Sequence, residues 1–174
     1  DTLRRRAVTL AAVTRLRGRE LGAILALFLV TLPAVTPRLY SSHEVQYYSY
    51  LRSLWFDHDL SFDNEYRYFY GHGVPRTPLF EQTFLVTVTP TGLRETFATI
   101  GCAILWSPFY AVADAVPGAR RALGAEVPAD GYSAPYVAAV AYGSAIYGLL
   151  ALLLAVGAAR RLTGNGILAG LAVW

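Results

Sequence analysis

Hydrophobic and polar positions alternate in long blocks, and the first uncharged block runs from Leu21 to Val35. A basic stretch with six arginines precedes it, which is the layout of a cytoplasmic flank (1–20) followed by a membrane helix (21–37) that runs outward. The block is short for a span, and a secretory signal peptide is the alternative. No small-x-small cleavage site follows, and further apolar blocks lie downstream, so we favour the membrane helix.

A longer uncharged block, 134–159, predicts a second membrane helix. Its 26 residues exceed the roughly 20 that a span requires, and Arg160–Arg161 close its far end. A cytoplasmic loop (160–166) and the start of a further membrane helix (167–174) would follow. Because the chain begins with Asp1 and stops inside an apolar run, we expect a piece of a longer protein.

The intermediate block, 96–113, is uncharged but is interrupted by Gly101 and Pro108 and followed by Asp114. It could cross the bilayer, or lie along its outer surface as a juxtamembrane helix (about 96–116). The interruptions and the short length favour the surface position. Residues 38–133 would then form one large extracytoplasmic loop.

Inside this loop, residues 44–56 show helical periodicity. The repeating apolar positions are Val45, Tyr48, Leu51, Leu54 and Trp55. The opposite face carries Gln46, Tyr50 and Ser53, so the pattern predicts an amphipathic helix at the membrane surface. Further on, "TFLVTVT" (83–89) followed by Pro90-Thr91-Gly92 predicts a short strand and a turn.

Composition supports a membrane protein. The chain is 55% hydrophobic and 16% charged, with a mean hydropathy of +0.37, whereas soluble domains carry about 25% charged residues. We therefore expect an all-α integral membrane protein, the N-terminal part of a multi-pass bundle in the plasma (inner) membrane. The net charge of +3 comes from arginines that flank the apolar blocks, so nucleic acid is not an expected partner. The single Cys102 excludes a disulfide framework.

Glu44 is the first candidate for chemistry, because a carboxylate at the outer membrane surface could act as general base. The alternative is a structural acid at a helix N-terminus. His43 could tune Glu44, or be a polar surface residue. Asp57 and Asp59 form a D-x-D pair that could hold Mg²⁺ or Mn²⁺, or simply end a helix.

Arginines could hold a phosphate, since their forked donors bind it in a bidentate manner. The candidates are Arg52, Arg67, Arg76 and Arg94. The alternative for each is an ion pair with a neighbouring acid.

The order of these segments resembles the amino-terminal part of GT-C class membrane glycosyltransferases, over roughly residues 20–165. The likeness rests on a span with an acidic motif at its outer end, followed by "YYSYLRSLWFDHDLSFDNEY" (47–66) and "GLRETFATIGCAILWSPFYAVADAV" (92–116). The bacterial dolichyl-phosphate-mannose-type mannosyltransferases and aminoarabinose transferases are the relatives that it resembles.

The resemblance implies transfer of a sugar from a polyprenyl-phosphate carrier to a glycan, lipid or protein acceptor, with inversion. An acidic residue in the first outer loop, often in an Asp-Glu pair, is the base in that family. The pair falls on His43-Glu44, so the first acid is replaced by histidine, and Glu44 or one of Asp57 and Asp59 would act. Further substrate contacts would come from Tyr47, Tyr48, Arg52, Asp57, Asp59 and Arg94.

Two other classes of function are compatible with the sequence. A non-catalytic membrane protein of envelope assembly, which binds lipid or polymer, would explain the missing first acid. A transporter fragment would need polar groups within its spans, and block 134–159 offers only Ser144 and tyrosines.

Overall fold

A computed structural model describes residues 18–75, 77–122, 124 and 128–163. Over these residues the chain is all-helical, as the expected fold class requires, and contains no β-strand. The principal helices are α1 (Gly18–Thr31), α2 (Ser42–Arg52), α3 (Asp63–Gly71), α4 (Pro78–Phe80), α5 (Gly101–Ala122) and α6 (Ala134–Thr163). The predicted segments 1–17 and 164–174 lie outside the described residues.

The chain divides into two compact units, and the first contains residues 1–36 and 144–174. Helix α1 ends at Thr31 and a 3₁₀ turn, Leu32–Ala34, follows, because Pro33 cannot continue an α-helix. The 14 residues of α1 rise about 21 Å, less than the roughly 30 Å of a bilayer core. Within the described residues this helix is thus shorter than a span, and the first membrane helix over 21–37 stays a prediction.

An ion pair links the two helical segments of the first unit, and a small groove lies between them. Arg160 Nη1 donates to Glu20 Oε2. The groove encloses about 210 Å³ between residues of α1 and its following turn on one side and α6 on the other. Its lining is apolar except for Thr31, whose hydroxyl donates to the Leu27 and Phe28 carbonyls of its own helix.

Helix α6 confirms the helix predicted over 134–159 and extends it to Thr163. In the described part of the chain, only Ala134–Leu162 is both long and apolar enough to cross a membrane, with a mean hydropathy of 2.0. The apolar stretches Glu20–Ala34 and Gly101–Val116 are shorter. The structure thus supports one membrane-length helix, and the multi-pass arrangement stays a prediction.

The second unit, residues 37–143, is built around helix α2. Val45, Tyr48 and Leu51 are buried, as their spacing predicts. Gln46 and Ser53, assigned to the polar face, are also buried, and Leu54 is exposed, so the prediction is wrong for these three residues. Gln46 is buried at little cost because its amide bonds to the Ser42 carbonyl and the Phe97 N–H.

The core around α2 is largely aromatic. The ring of Tyr48 lies edge-on to Phe69 of α3 and Tyr110 of α5, with centroids 5.6 and 6.0 Å apart. Edge-to-face pairs of this kind add to the stabilisation that burial alone provides. Helix α5 begins at Gly101 rather than near residue 96 and continues to Ala122, beyond the predicted end.

The strand predicted over 83–89 is wrong for its first half. Residues Glu81–Val86 form a π-helical segment that continues from α4. Phe80 and Phe84 are both buried, and a helix brings residues four apart to one face. The turn at 90–92 is confirmed: Gly92 has φ +83°, and Val88 and Arg94 form an isolated antiparallel bridge across it.

Candidate functional site

The predicted site residues fall at the two ends of helix α2. His43, Glu44 and Tyr47 lie in its first turns, whereas Arg52 ends it and Asp57 follows. Eight residues at 1.5 Å per residue separate Glu44 from Arg52 by about 12 Å. The structure therefore forms two clusters, which we call the Glu44 site (His43, Glu44, Tyr47 and Trp106) and the Arg52 cluster (Arg52, Asp57, Glu65 and Tyr132).

Glu44 takes part in a capping box at the start of α2. Its Oε2 accepts the backbone N–H groups of Tyr40 (2.5 Å) and Ser41 (3.1 Å), while the Ser41 hydroxyl accepts the Glu44 N–H at 3.3 Å. The alternative drawn from the sequence, a structural acid at a helix N-terminus, therefore describes one role of this side chain. The other oxygen, Oε1, accepts no hydrogen bond from the described residues and is not fully buried.

Aromatic and imidazole groups lie close to Glu44 along helix α2. Tyr47, one turn further along α2, is half-buried and lies edge-on to Trp106 of α5, with ring centroids 6.5 Å apart. His43 is exposed beside Glu44. Aromatic faces of this type are suited to the apolar face of a sugar ring. Trp106 was not singled out from the sequence, because nothing in the uncharged block 96–113 shows that it meets α2.

Tyr48, predicted to contact substrate, lies instead in the core. It is 0% exposed, and its hydroxyl donates to the Gly131 carbonyl at 2.6 Å. Burial raises the pKa of its hydroxyl, so the group stays neutral. Tyr48 therefore holds the loop before α6 in place, and we assign it no contact with substrate.

Arg52 is the centre of the second cluster. Its Nη1 donates to Asp57 Oδ2 and, at 3.0 Å, to Glu65 Oε1, and its Nε donates to the Asp130 carbonyl at 3.2 Å. The guanidinium also lies 4.4 Å from the ring centroid of Tyr132, within the range of a cation–π interaction. Arg52 thus joins the end of α2 to α3 and to the loop at residue 130, as the ion-pair alternative predicts.

Glu65 is fully buried, and sequence reasoning did not select it. Burial raises the pKa of its carboxyl to about 7, and the hydrogen bond from Arg52 opposes this rise. Its Oε2 has no hydrogen-bond partner among the described residues. A signal was present: Glu65 stands within the stripe Phe62, Tyr66 and Phe69, whose helical spacing indicates a buried face.

A stack of rings extends outward from Arg52. The ring of Tyr132 lies 4.0 Å from that of Tyr68 with 16° between the planes, and Tyr68 lies 4.1 Å from exposed His72. His72 Nδ1 is 2.6 Å from the Tyr68 carbonyl. The stack covers the guanidinium of Arg52 and keeps it largely away from water.

The two aspartates of the D-x-D pair are used in separate contacts. Asp57 Oδ2 accepts from Arg52 and, at 2.7 Å, from Asn64, whereas Asp59 Oδ1 accepts the Ser53 hydroxyl at 2.7 Å and the Ser61 N–H at 3.0 Å. The hydrogen bond from Ser53 is the main cause that lowers the pKa of Asp59. Over the described residues no group of three or more His, Cys, Asp or Glu side chains is placed to hold a metal ion.

Arg94, another predicted phosphate ligand, ties the turn at 90–92 to helix α3. Its Nε donates to Asp63 Oδ1 at 2.6 Å and its Nη1 to the Leu85 carbonyl at 2.6 Å. Arg67 also pairs with Asp63, which lies four residues before it. Hydrogen bonds from Arg67 and Arg94 lower the pKa of Asp63. Both arginines thus have acid partners, and Arg76 lies outside the described residues.

Comparison with known proteins found no match that could explain this geometry. No protein-family model, curated protein or solved structure matches the chain. The two clusters therefore have to be interpreted from their own chemistry.

Proposed function

We propose that the protein is a membrane glycosyltransferase, which transfers a sugar from a polyprenyl-phosphate carrier to an extracytoplasmic acceptor with inversion. The observation that carries the proposal is that Glu44 Oε1, which accepts no hydrogen bond from the described residues, lies near the Tyr47–Trp106 pair. A base and aromatic faces side by side are what a sugar acceptor requires for activation and orientation. The resemblance of segment order to GT-C enzymes supports the same reaction.

In this proposal, each group at the Glu44 site has one role. Glu44 Oε1 removes the proton from the acceptor hydroxyl, whose oxygen then attacks the anomeric carbon and displaces the lipid phosphate. Tyr47 and Trp106 orient the sugar. Arg52 and Arg94 are held in ion pairs, so exposed Arg38, which forms no ion pair with any described residue, is a better candidate to receive the departing phosphate.

Glu44→Gln separates the chemical role of this residue from its structural role. A glutamine can also complete a capping box, so the helix start is retained while the base is lost. We expect release of polyprenyl phosphate from a polyprenyl-phosphate sugar, measured in membranes that contain the protein, to fall about 10²–10⁴-fold.

Ser41→Ala is the matched control. It removes the hydroxyl cap and costs about 1 kcal/mol of stability, but it leaves the carboxylate in place. Release per folded protein should stay near the parent value. Undiminished release by the Glu44→Gln variant would remove Glu44 from the role of base.

A second function is favoured by two observations: the capping box uses one oxygen of Glu44, and His43 stands where the family that the sequence resembles carries its first acid. A non-catalytic protein that binds a carrier lipid or polymer would need no base. It would bind polyprenyl-phosphate sugar without releasing polyprenyl phosphate, so the parent protein in the same assay separates the two functions.

A further inference from the structure

Large apolar side chains that the second unit leaves exposed follow one another along residues 86–104. They are Val86 (57% exposed), Val88 (50%), Leu93 (41%), Phe97 (64%), Ile100 (42%) and Ile104 (62%). We call this stretch the apolar segment. Single exposed apolar residues are normal on a soluble surface, but a sustained series indicates contact with a membrane or another protein.

The apolar segment is held firmly to the unit. The Phe97 N–H donates to the side-chain oxygen of buried Gln46 at 2.7 Å, and the Phe97 ring lies 5.7 Å from that of Phe84. The bridge between Val88 and Arg94 fixes the turn. Its exposed side chains are therefore presented by a defined backbone.

The polar groups around the turn are already hydrogen-bonded. The Thr89 N–H and hydroxyl both donate to the Leu93 carbonyl, at 2.9 and 3.0 Å. The Thr87 hydroxyl donates to the Gln82 carbonyl at 2.8 Å, and the Thr91 hydroxyl lies 2.9 Å from that of Thr89. These internal bonds lower the cost of moving the turn out of water into a medium that offers no hydrogen bonds.

Charge along the same stretch is nearly absent. Residues 82–93 and 96–113 contain no Asp, Glu, Lys or Arg. Between them stand two charged residues: Arg94, whose side chain is 14% exposed and ion-paired with Asp63 at 2.5 Å, and half-buried Glu95. The uncharged runs of 12 and 18 residues on either side of this pair are suited to contact with hydrocarbon, which disfavours free charge.

We propose that the apolar segment inserts into the lipid bilayer and anchors the second unit to the membrane surface. The occupant of this surface is lipid rather than a second copy of the chain. The sequence suggested a surface helix over 96–116, whereas the structure moves the anchor to the turn and the start of α5. The inference is independent of sugar transfer.

Site-directed spin labelling of the full chain in lipid nanodiscs tests this anchor. Nitroxides are placed at Val88→Cys and Phe97→Cys in a Cys102→Ala background, with Val86→Cys as a further position should either variant fail to fold. Arg67→Cys is the water-exposed control, since that side chain is 59% exposed. The ratio of collisions with oxygen to collisions with a water-soluble nickel complex should be several-fold higher at 88 and 97 than at 67.

Two results would overturn the proposal. Ratios at 88 and 97 equal to that at 67 would show that the segment lies in water. Protection from both reagents, with spin–spin broadening that disappears when unlabelled protein is added, would show that a second copy covers it.

Discussion

Glu65 shows at the scale of one residue how folding changes acidity. Its carboxyl is fully buried, with one oxygen bonded to Arg52 and the other without a partner among the described residues. Burial disfavours the charged form and raises the pKa from 4.5 to about 7. The folded protein therefore binds a proton that the unfolded chain has released between these two pH values.

The consequence is a stability that falls as pH rises. Between about pH 4.5 and 7 the unfolded state binds fewer protons than the folded state at this site, so the free energy of unfolding decreases by about 3 kcal/mol. Glu65→Gln should remove this slope, because an amide does not titrate there. Denaturant midpoints at pH 5, 6, 7 and 8 measure it, and an equal slope in parent and variant would contradict the assignment.

The role of a single residue could be predicted only where its partners in space could be predicted too. Arg52 and Arg94 were open between phosphate binding and ion pairing, and the acids that decided the question, Glu65 and Asp63, lie 13 and 31 residues away. Tyr47 and Tyr48 are adjacent in sequence, yet only Tyr48 is sealed in the core. Periodicity alone could not decide which of the two stays accessible.

At the scale of elements, helices follow from the sequence wherever one feature dominates. The charge-free block 134–159 is enough to predict α6, and the spacing of Val45, Tyr48 and Leu51 is enough to predict α2. The strand prediction failed because it relied on the β-branched residues of the segment 83–89. The local structure is instead a helical segment whose two phenylalanines, Phe80 and Phe84, pack into the core. Burial of Gln46 depends on a distant partner, the Phe97 N–H, which local patterns do not contain.

Gly131, in the loop before α6, is a connecting residue that is sensitive to substitution. Gly131 has φ +72°, and a Cβ there would lie 2.4 Å from Tyr110 Oη and 2.6 Å from Phe56 Cε2. Its carbonyl also accepts the hydroxyls of Tyr48 and Tyr110. Gly131→Ala therefore combines backbone strain with a clash in a tight core, and we expect a loss of about 2–5 kcal/mol in unfolding free energy.

Gly92→Ala is the matched control for that loss. Gly92 has a similar φ of +83°, but a Cβ added there would meet no atom within 4 Å. The variant should lose only the strain of a left-handed residue, about 1–2 kcal/mol. Chemical denaturation of both variants measures the difference, and equal losses would show that the contacts of Gly131 are unimportant.

At the scale of the whole molecule, each unit contains a different kind of structure. The unit of residues 1–36 and 144–174 contains helix α1 and most of the membrane-length helix α6, and the unit of residues 37–143 contains both the aromatic core and the two polar clusters. The sequence predicted a loop over 38–133 between two apolar blocks, whereas the boundary between the units falls inside the second block, at residues 143 and 144. The sequence could not show that Glu65 and Tyr132 join Arg52 in one cluster, because these contacts connect residues that are distant in sequence.

The central claim is that the surface with Glu44 faces the outside of the cell, where a carrier-linked sugar would be presented. Labelling of Arg67→Cys in the Cys102→Ala background with a membrane-impermeant maleimide tests it most directly, with Thr2→Cys as the marker for the opposite side. Intact cells should label position 67 fully and position 2 only after permeabilisation. Labelling of position 67 only after permeabilisation would place the Glu44 site in the wrong compartment and contradict the account.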